Sequence, residues 1–145
     1  MSSWLRVAGG TWLFLAVTAC GSGSVEPRPL PLDSVNCSRC TMIVSEPTHA
    51  AQAVIPGEEP RFYDDRGCLA EHAPTLPREA RLFVQADGAG GWIDVHEAFF
   101  AFPADLRTPM GHGVTAFRNQ EDAVRHDRGG RTLRWADVVR EVRKH

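Results

Sequence analysis

The chain has no basic surplus. Sixteen lysines and arginines face eighteen aspartates and glutamates, for a net charge of −2, so the electrostatic footprint that nucleic-acid binding requires is missing. There is no second C-x-x-C, which removes a four-thiolate zinc site. No Gly-rich loop opens a helix to cradle phosphate, and neither Ser38 nor Ser45 has the neighbouring histidine and acid of a nucleophile motif. No apolar run is long enough to cross a bilayer. Four cysteines in 145 residues are too few for a disulfide scaffold. What is present is an ordinary apolar share of 43%, enough for one packed domain or two very small ones.

The N-terminus sets the compartment. Arg6 supplies a positive flank, and Trp12-Leu13-Phe14-Leu15-Ala16-Val17 is an apolar run of signal-peptide length. It ends in Val17-Thr18-Ala19-Cys20, small residues directly before a cysteine, which resembles the lipobox of bacterial lipoproteins. That resemblance implies cleavage before Cys20 and lipidation of it, with residues 1–19 as signal peptide. Gly21 is not an aspartate, so no inner-membrane retention signal is evident and the anchor leans towards the outer membrane. Residues 20–35, rich in Gly, Ser and Pro, read as a flexible tether. Several acyl chains would hold such a tether stably at the membrane.

Setting Cys20 aside leaves Cys37, Cys40 and Cys68, an odd number of thiols in an oxidising compartment. They cannot all pair within the chain, which leaves a free thiol, an intermolecular partner or a metal. Cys37-Ser38-Arg39-Cys40-Thr41-Met42 puts two thiols and a thioether in one short stretch. Such soft, polarisable donors favour Cu(I). A structural disulfide between Cys37 and Cys40 stays open, as does a redox pair, although a redox pair normally sits at a helix N-terminus and these cysteines precede a strand-like run. Cys68 reads either as a small buried hydrophobe or as a third sulfur donor. Met110 lies in a turn between Pro109 and Gly111 rather than on an apolar face, as a ligand would. His112 follows between two glycines that let the backbone approach closely. His49 and His96 are weaker candidates, the latter with Asp94 two residues away as a possible orienting carboxylate.

Periodicity predicts an α+β fold. Strand material covers Ile43-Val44, residues 50–55, Arg61-Phe62-Tyr63 and, most clearly, residues 81–85. Asp64 or Asp65 caps a short helix through Cys68, Leu69 and His72. The Gly-rich residues 88–91 read as a boundary. Residues 92–102 lean towards extended structure. A strand over residues 114–117, a helix capped by Asn119, a brief strand at Arg131-Thr132-Leu133 and a final helix follow. In that last helix Trp135, Val138, Val139 and Val142 share one face. The halves echo each other as two ββαβ-type units, residues 36–91 and 92–145.

Three phrases together resemble the NosL family, the lipoprotein accessory factors of nitrous oxide reductase. They are the thiol–methionine cluster soon after the lipobox, Phe62-Tyr63-Asp64-Asp65-Arg66-Gly67-Cys68, and Thr108-Pro109-Met110-Gly111-His112-Gly113-Val114-Thr115-Ala116-Phe117. The resemblance runs from Asn36 to about Trp135. It implies a pair of small ββαβ units in a lipid-anchored, periplasm-facing protein that is not an enzyme. Such a protein binds Cu(I) and delivers it to the reductase, to its assembly machinery or to another receiving protein or transporter. Cys37, Cys40, Met42, Cys68, Met110 and His112 form the candidate ligand set. One departure stands out: Thr41 occupies the place before Met42 where the family usually has glycine.

Overall fold

The structure is a computed structural model and describes residues 25–88 and 90–144. The signal peptide and Cys20 lie outside the described residues. Among the described residues no helix is long and apolar enough to cross a membrane.

The fold is α+β. Four antiparallel strands form one sheet in the order β2-β1-β3-β4, with β1 at Ala51–Val54, β2 at Arg61–Tyr63, β3 at Arg81–Gln85 and β4 at Trp92–Asp94. A second sheet pairs β5 (Phe99–Ala101) with β6 (Thr115–Phe117). Three helices complete the fold: α1 (Arg66–His72), α2 (Gln120–His126) and α3 (Trp135–Val142). The caps are those the sequence predicts. Asp65 accepts from the Gly67 N–H and Asn119 from the Asp122 N–H, each satisfying a donor that the first helical turn leaves orphaned. One apolar core runs through both halves, from Val44, Leu69 and Val84 to Val114, Leu133 and Val138. Helix α3 packs on both α1 and β5.

Three features differ from the sequence reading. Gly88, Gly90 and Gly91 lie where the chain passes from β3 into β4. They take φ of 77°, 69° and 83°, which other residues adopt only at a cost. Trp92–Asp94, assigned from sequence to the second unit, completes the first sheet. The chain order β1, β2, α1, β3 is echoed by β5, β6, α2, but residues 131–133 form no strand, and Leu133 makes a single bridge to Phe100. Finally, the Pro-rich stretch is docked from Arg28 onwards. The side chain of Gln52, buried in the middle of β1, accepts from the Arg28 N–H at 2.7 Å and donates to its carbonyl at 3.0 Å. A buried amide needs such partners, and here they come from the chain just before the core-packed Leu30.

The halves are locked by one side chain. Arg66 is wholly buried and donates to the carbonyls of Thr48, Gln85 and Val114, while pairing with Asp87 at 3.1 Å. Asp87 in turn accepts from the Thr115 hydroxyl and the Ala116 N–H. Burial lowers the Arg66 pKa and the Asp87 carboxylate opposes that.

Candidate metal centre

Residues 37–42 form a closed knuckle. The Cys37 N–H donates to the Met42 carbonyl at 2.7 Å, the Thr41 N–H to the Cys37 carbonyl at 3.0 Å, and the Cys40 N–H points at the Cys37 sulfur, 3.5 Å away. An isolated bridge between Asn36 and Ile43 closes its base; Ile43-Val44, expected as strand, forms no ladder, and Val44 instead donates to the Val35 carbonyl and accepts from the Asp33 N–H. Closing the loop this tightly requires a left-handed residue, and Thr41 supplies it at φ 68°. That conformation is an outlier for a β-branched residue and is the reason glycine suits this place.

The knuckle is fastened to β2 by the Ser38 N–H, which donates to the Phe62 carbonyl at 2.8 Å. The chain then runs from β2 through Asp64 and Asp65 into α1, whose first turn carries Cys68. One short strand thus places both sources of sulfur. The Sγ atoms of Cys37, Cys40 and Cys68 all lie within 4.8 Å of one another. Cys37 and Cys68 are buried and Cys40 is partly exposed. Across the top, Arg39 pairs with Glu71 of α1 at 3.1 Å. Beneath, the buried Tyr63 hydroxyl meets His72 Nδ1 at 2.9 Å, bracing α1 against β2.

The three thiols differ in how readily they ionise. Cys37 is held well below its ordinary value, first by the Cys68 S–H and then, against burial, by the N–H groups of Cys40, Asp64 and Arg39. Cys68 is pushed up by that same hydrogen bond and by burial, and burial raises Cys40 too. Cys37 is therefore the thiol that ionises most readily, and a thiol still protonated loses its proton on taking a metal. Close by, Asp64 is buried with Oδ1 unpartnered; burial raises its pKa despite the Ser45 N–H.

Among the described residues, the three thiols form the cluster of His, Cys, Asp or Glu donors close enough to share an ion, and His112 is not a member. Met42 projects from the knuckle, about half exposed at 51%. Met110 and His112 lie on a loop held against the first turn of α1. The Met110 N–H and the Thr108 hydroxyl both donate to Asp65 Oδ2, at 3.1 and 2.5 Å. His49 Nδ1 sits 3.4 Å from the Arg66 guanidinium. Asp94 accepts from Arg81 and from the His96 N–H rather than orienting the imidazole. The sequence reading missed Asp65 and Arg66 as the residues that assemble this region. An acid–base pair directly before a cysteine-bearing helix was the available signal, but its long-range partners leave no local pattern.

The NosL family model matches residues 31–143, most of the chain. The chain belongs to the NosL family. Among curated proteins it is similar to the "Copper-binding lipoprotein NosL" of Stutzerimonas stutzeri, at 27% identity over 95% of this chain and 84% of that protein. This NosL protein carries the paired cysteines and the Thr-Pro-Met-Gly phrase quoted above, with threonine at the knuckle's left-handed position.

Proposed function

We propose that this NosL protein is a Cu(I) carrier rather than a catalyst, taking the ion as cargo on the sulfurs of Cys37, Cys40 and Cys68. The observation that carries this reading is the convergence of three thiols from two separate elements within 4.8 Å. Three soft donors in a half-buried pocket suit a monovalent ion that accepts few ligands and does not need water. Met42 and Met110 supply further soft donors at the rim, while His112 packs against Gly67 and is given no donor role. Cys40 is the most accessible thiol and lies beside exposed Met42. Release starts there, with a partner's thiol or thioether replacing Cys40 while Cys37 and Cys68 still hold the ion. Copper stays Cu(I) throughout, so no electron donor is involved.

The lipobox-like sequence supports an anchor on Cys20 at a periplasm-facing membrane, leaning to the outer one. The family resemblance and the printed name of the relative support copper delivery for maturation of a copper enzyme, nitrous oxide reductase being the client the family implies. Anaerobic Cu(I) titration against a competing chelator tests the carrier reading. One ion per chain is expected, with Cys68→Ser weakening binding at least tenfold; stoichiometry well below one, or no effect of Cys68→Ser, refutes it. The other reading the thiol proximity favours is a Cys37–Cys40 disulfide in a structural or thiol-exchange lipoprotein. A bridge that persists in protein isolated from copper-replete cells, measured by mass spectrometry, would favour that instead.

A further inference from the structure

Asp65 is completely buried and uses both oxygens. Oδ1 accepts from the Gly67 N–H at 2.8 Å, starting α1, while Oδ2 accepts from Thr108 and Met110. The Thr108 hydroxyl also accepts from the Gly113 N–H at 3.1 Å, and the Gly111 N–H donates to the Thr108 carbonyl at 2.9 Å. The loop is thus folded around one carboxylate, with Gly111 and Gly113 left-handed at φ 75° and 65°. Its second point of seating is steric. A Cβ on Gly67 would fall between 2.1 and 2.4 Å from His112 side-chain atoms, so the imidazole occupies the space that the glycine leaves open. Gly67 itself has an ordinary helical φ, so what its lack of a side chain provides is room. Both seats lie within three residues of Cys68.

We propose that Asp65 and Gly67 are positioning residues for the Met110 thioether. The carboxylate hangs the loop and the glycine receives His112 as a wedge. Together they hold Met110 against the helix turn that presents Cys68, where its sulfur completes the Cu(I) shell above the thiols. The inference rests on the carrier reading. It explains why an acid, a glycine and a cysteine stand in one run, Asp65-Arg66-Gly67-Cys68: each acts on the same few ångströms of the site. Softness selects the thioether over the imidazole as donor, and the imidazole is engaged in packing.

The test uses the full-length lipidated protein in detergent and Cu(I) under a competing chelator. Asp65→Asn keeps an oxygen that can cap α1 but buries an amide NH2 opposite the Thr108 and Met110 donors, which perturbs folding as well as the latch. The informative variants are therefore Thr108→Val, which deletes the hydroxyl's bonds to Asp65 and from the Gly113 N–H at constant shape, and Gly67→Ala. Alanine is the better helix former, so α1 is not weakened locally, but His112 is driven from its seat. Each variant is expected to weaken Cu(I) about 10–100-fold, the range for residues that orient a ligand. Met110→Leu should do the same, and Thr108→Val should add nothing in its background. His112→Ala should rescue Gly67→Ala, because the clash is then gone. In selenomethionine-labelled Met42→Leu protein, the selenium absorption edge should show a copper neighbour that Thr108→Val and Gly67→Ala remove, a change that a merely structural role would not produce. If the wild type binds Cu(I) through its cysteines while these variants leave affinity and the selenium signal unchanged, the positioning role is overturned and the carrier reading stands. If the wild type fails to bind Cu(I), both fall.

Discussion

Replacing Thr41 by glycine should stabilise the metal-free protein. Thr41 sits at φ 68°, is exposed, and makes no recorded side-chain hydrogen bond. Holding an L-residue in the left-handed region costs about 1–2 kcal/mol. The Thr41 N–H bond to Cys37 is a backbone bond and survives the change. Glycine offsets part of the gain through its freer unfolded chain, by about 0.4–1 kcal/mol. The net is a stabilisation of about 0.5–1 kcal/mol, or roughly 2–5 °C in Tm for a domain of this size. Thermal unfolding under reducing, metal-free conditions measures it, with Thr41→Ala and Thr41→Val in the same series. The expected order is Gly highest and Val lowest, because branching at Cβ aggravates the strain. A Thr41→Gly protein no more stable than wild type, or a Thr41→Val protein that is more stable, would show that the knuckle does not depend on this torsion.

Arg66→Ala should cost on the order of 3–5 kcal/mol, since it removes a wholly buried guanidinium and leaves part-exposed Asp87 and three carbonyls without it; chemical denaturation giving less than about 1 kcal/mol would contradict that role. Burial raises the Asp127 pKa, but Arg131 and the N–H groups of Phe102, Arg131 and Gly129 more than compensate and hold it well below the usual carboxylate range. Its contribution is therefore fully present above an unfolded value of about 4 and is lost as pH falls through the folded value. Asp127→Asn should flatten the acid limb of a stability–pH curve, and an unchanged limb would refute the assignment. Gln52→Leu should release residues 28–30, read as faster amide exchange at Arg28; unchanged protection would show that the clamp is dispensable.

Much of the fold was legible because its signals are local. Asp65 and Asn119 announce their helices by side-chain chemistry. The β2 and β3 residues are short runs rich in aromatic and aliphatic side chains, as buried strands are, and Trp135, Val138 and Val142 fall on one helical face. The misreadings concern residues whose role depends on distant partners. Prolines 27, 29 and 31 describe a chain that cannot order itself, which is correct of its own composition, but Gln52 orders it from outside. A glycine-rich run looks the same whether it separates domains or turns a hairpin, and only the pairing of β3 with β4 decides. At the site, the sulfur content was legible and so was the possible third donor at Cys68. The departure at Thr41 was visible only as a residue type; its cause is a torsion. The seat of His112 on Gly67 was invisible, because nothing in either phrase reveals that they meet.

If Cys20 is lipidated as proposed, the docking of Arg28 on Gln52 shortens the leash between membrane and metal centre. Were the chain loose up to Asn36, sixteen residues beyond a lipidated Cys20 could stretch to about 55 Å. Fastened at Arg28, only eight residues remain, about 28 Å at full stretch. Halving the radius cuts the accessible hemisphere about eightfold. On the proposed anchoring and carrier role, transfer of the ion to an acceptor would take place within that distance of the bilayer surface.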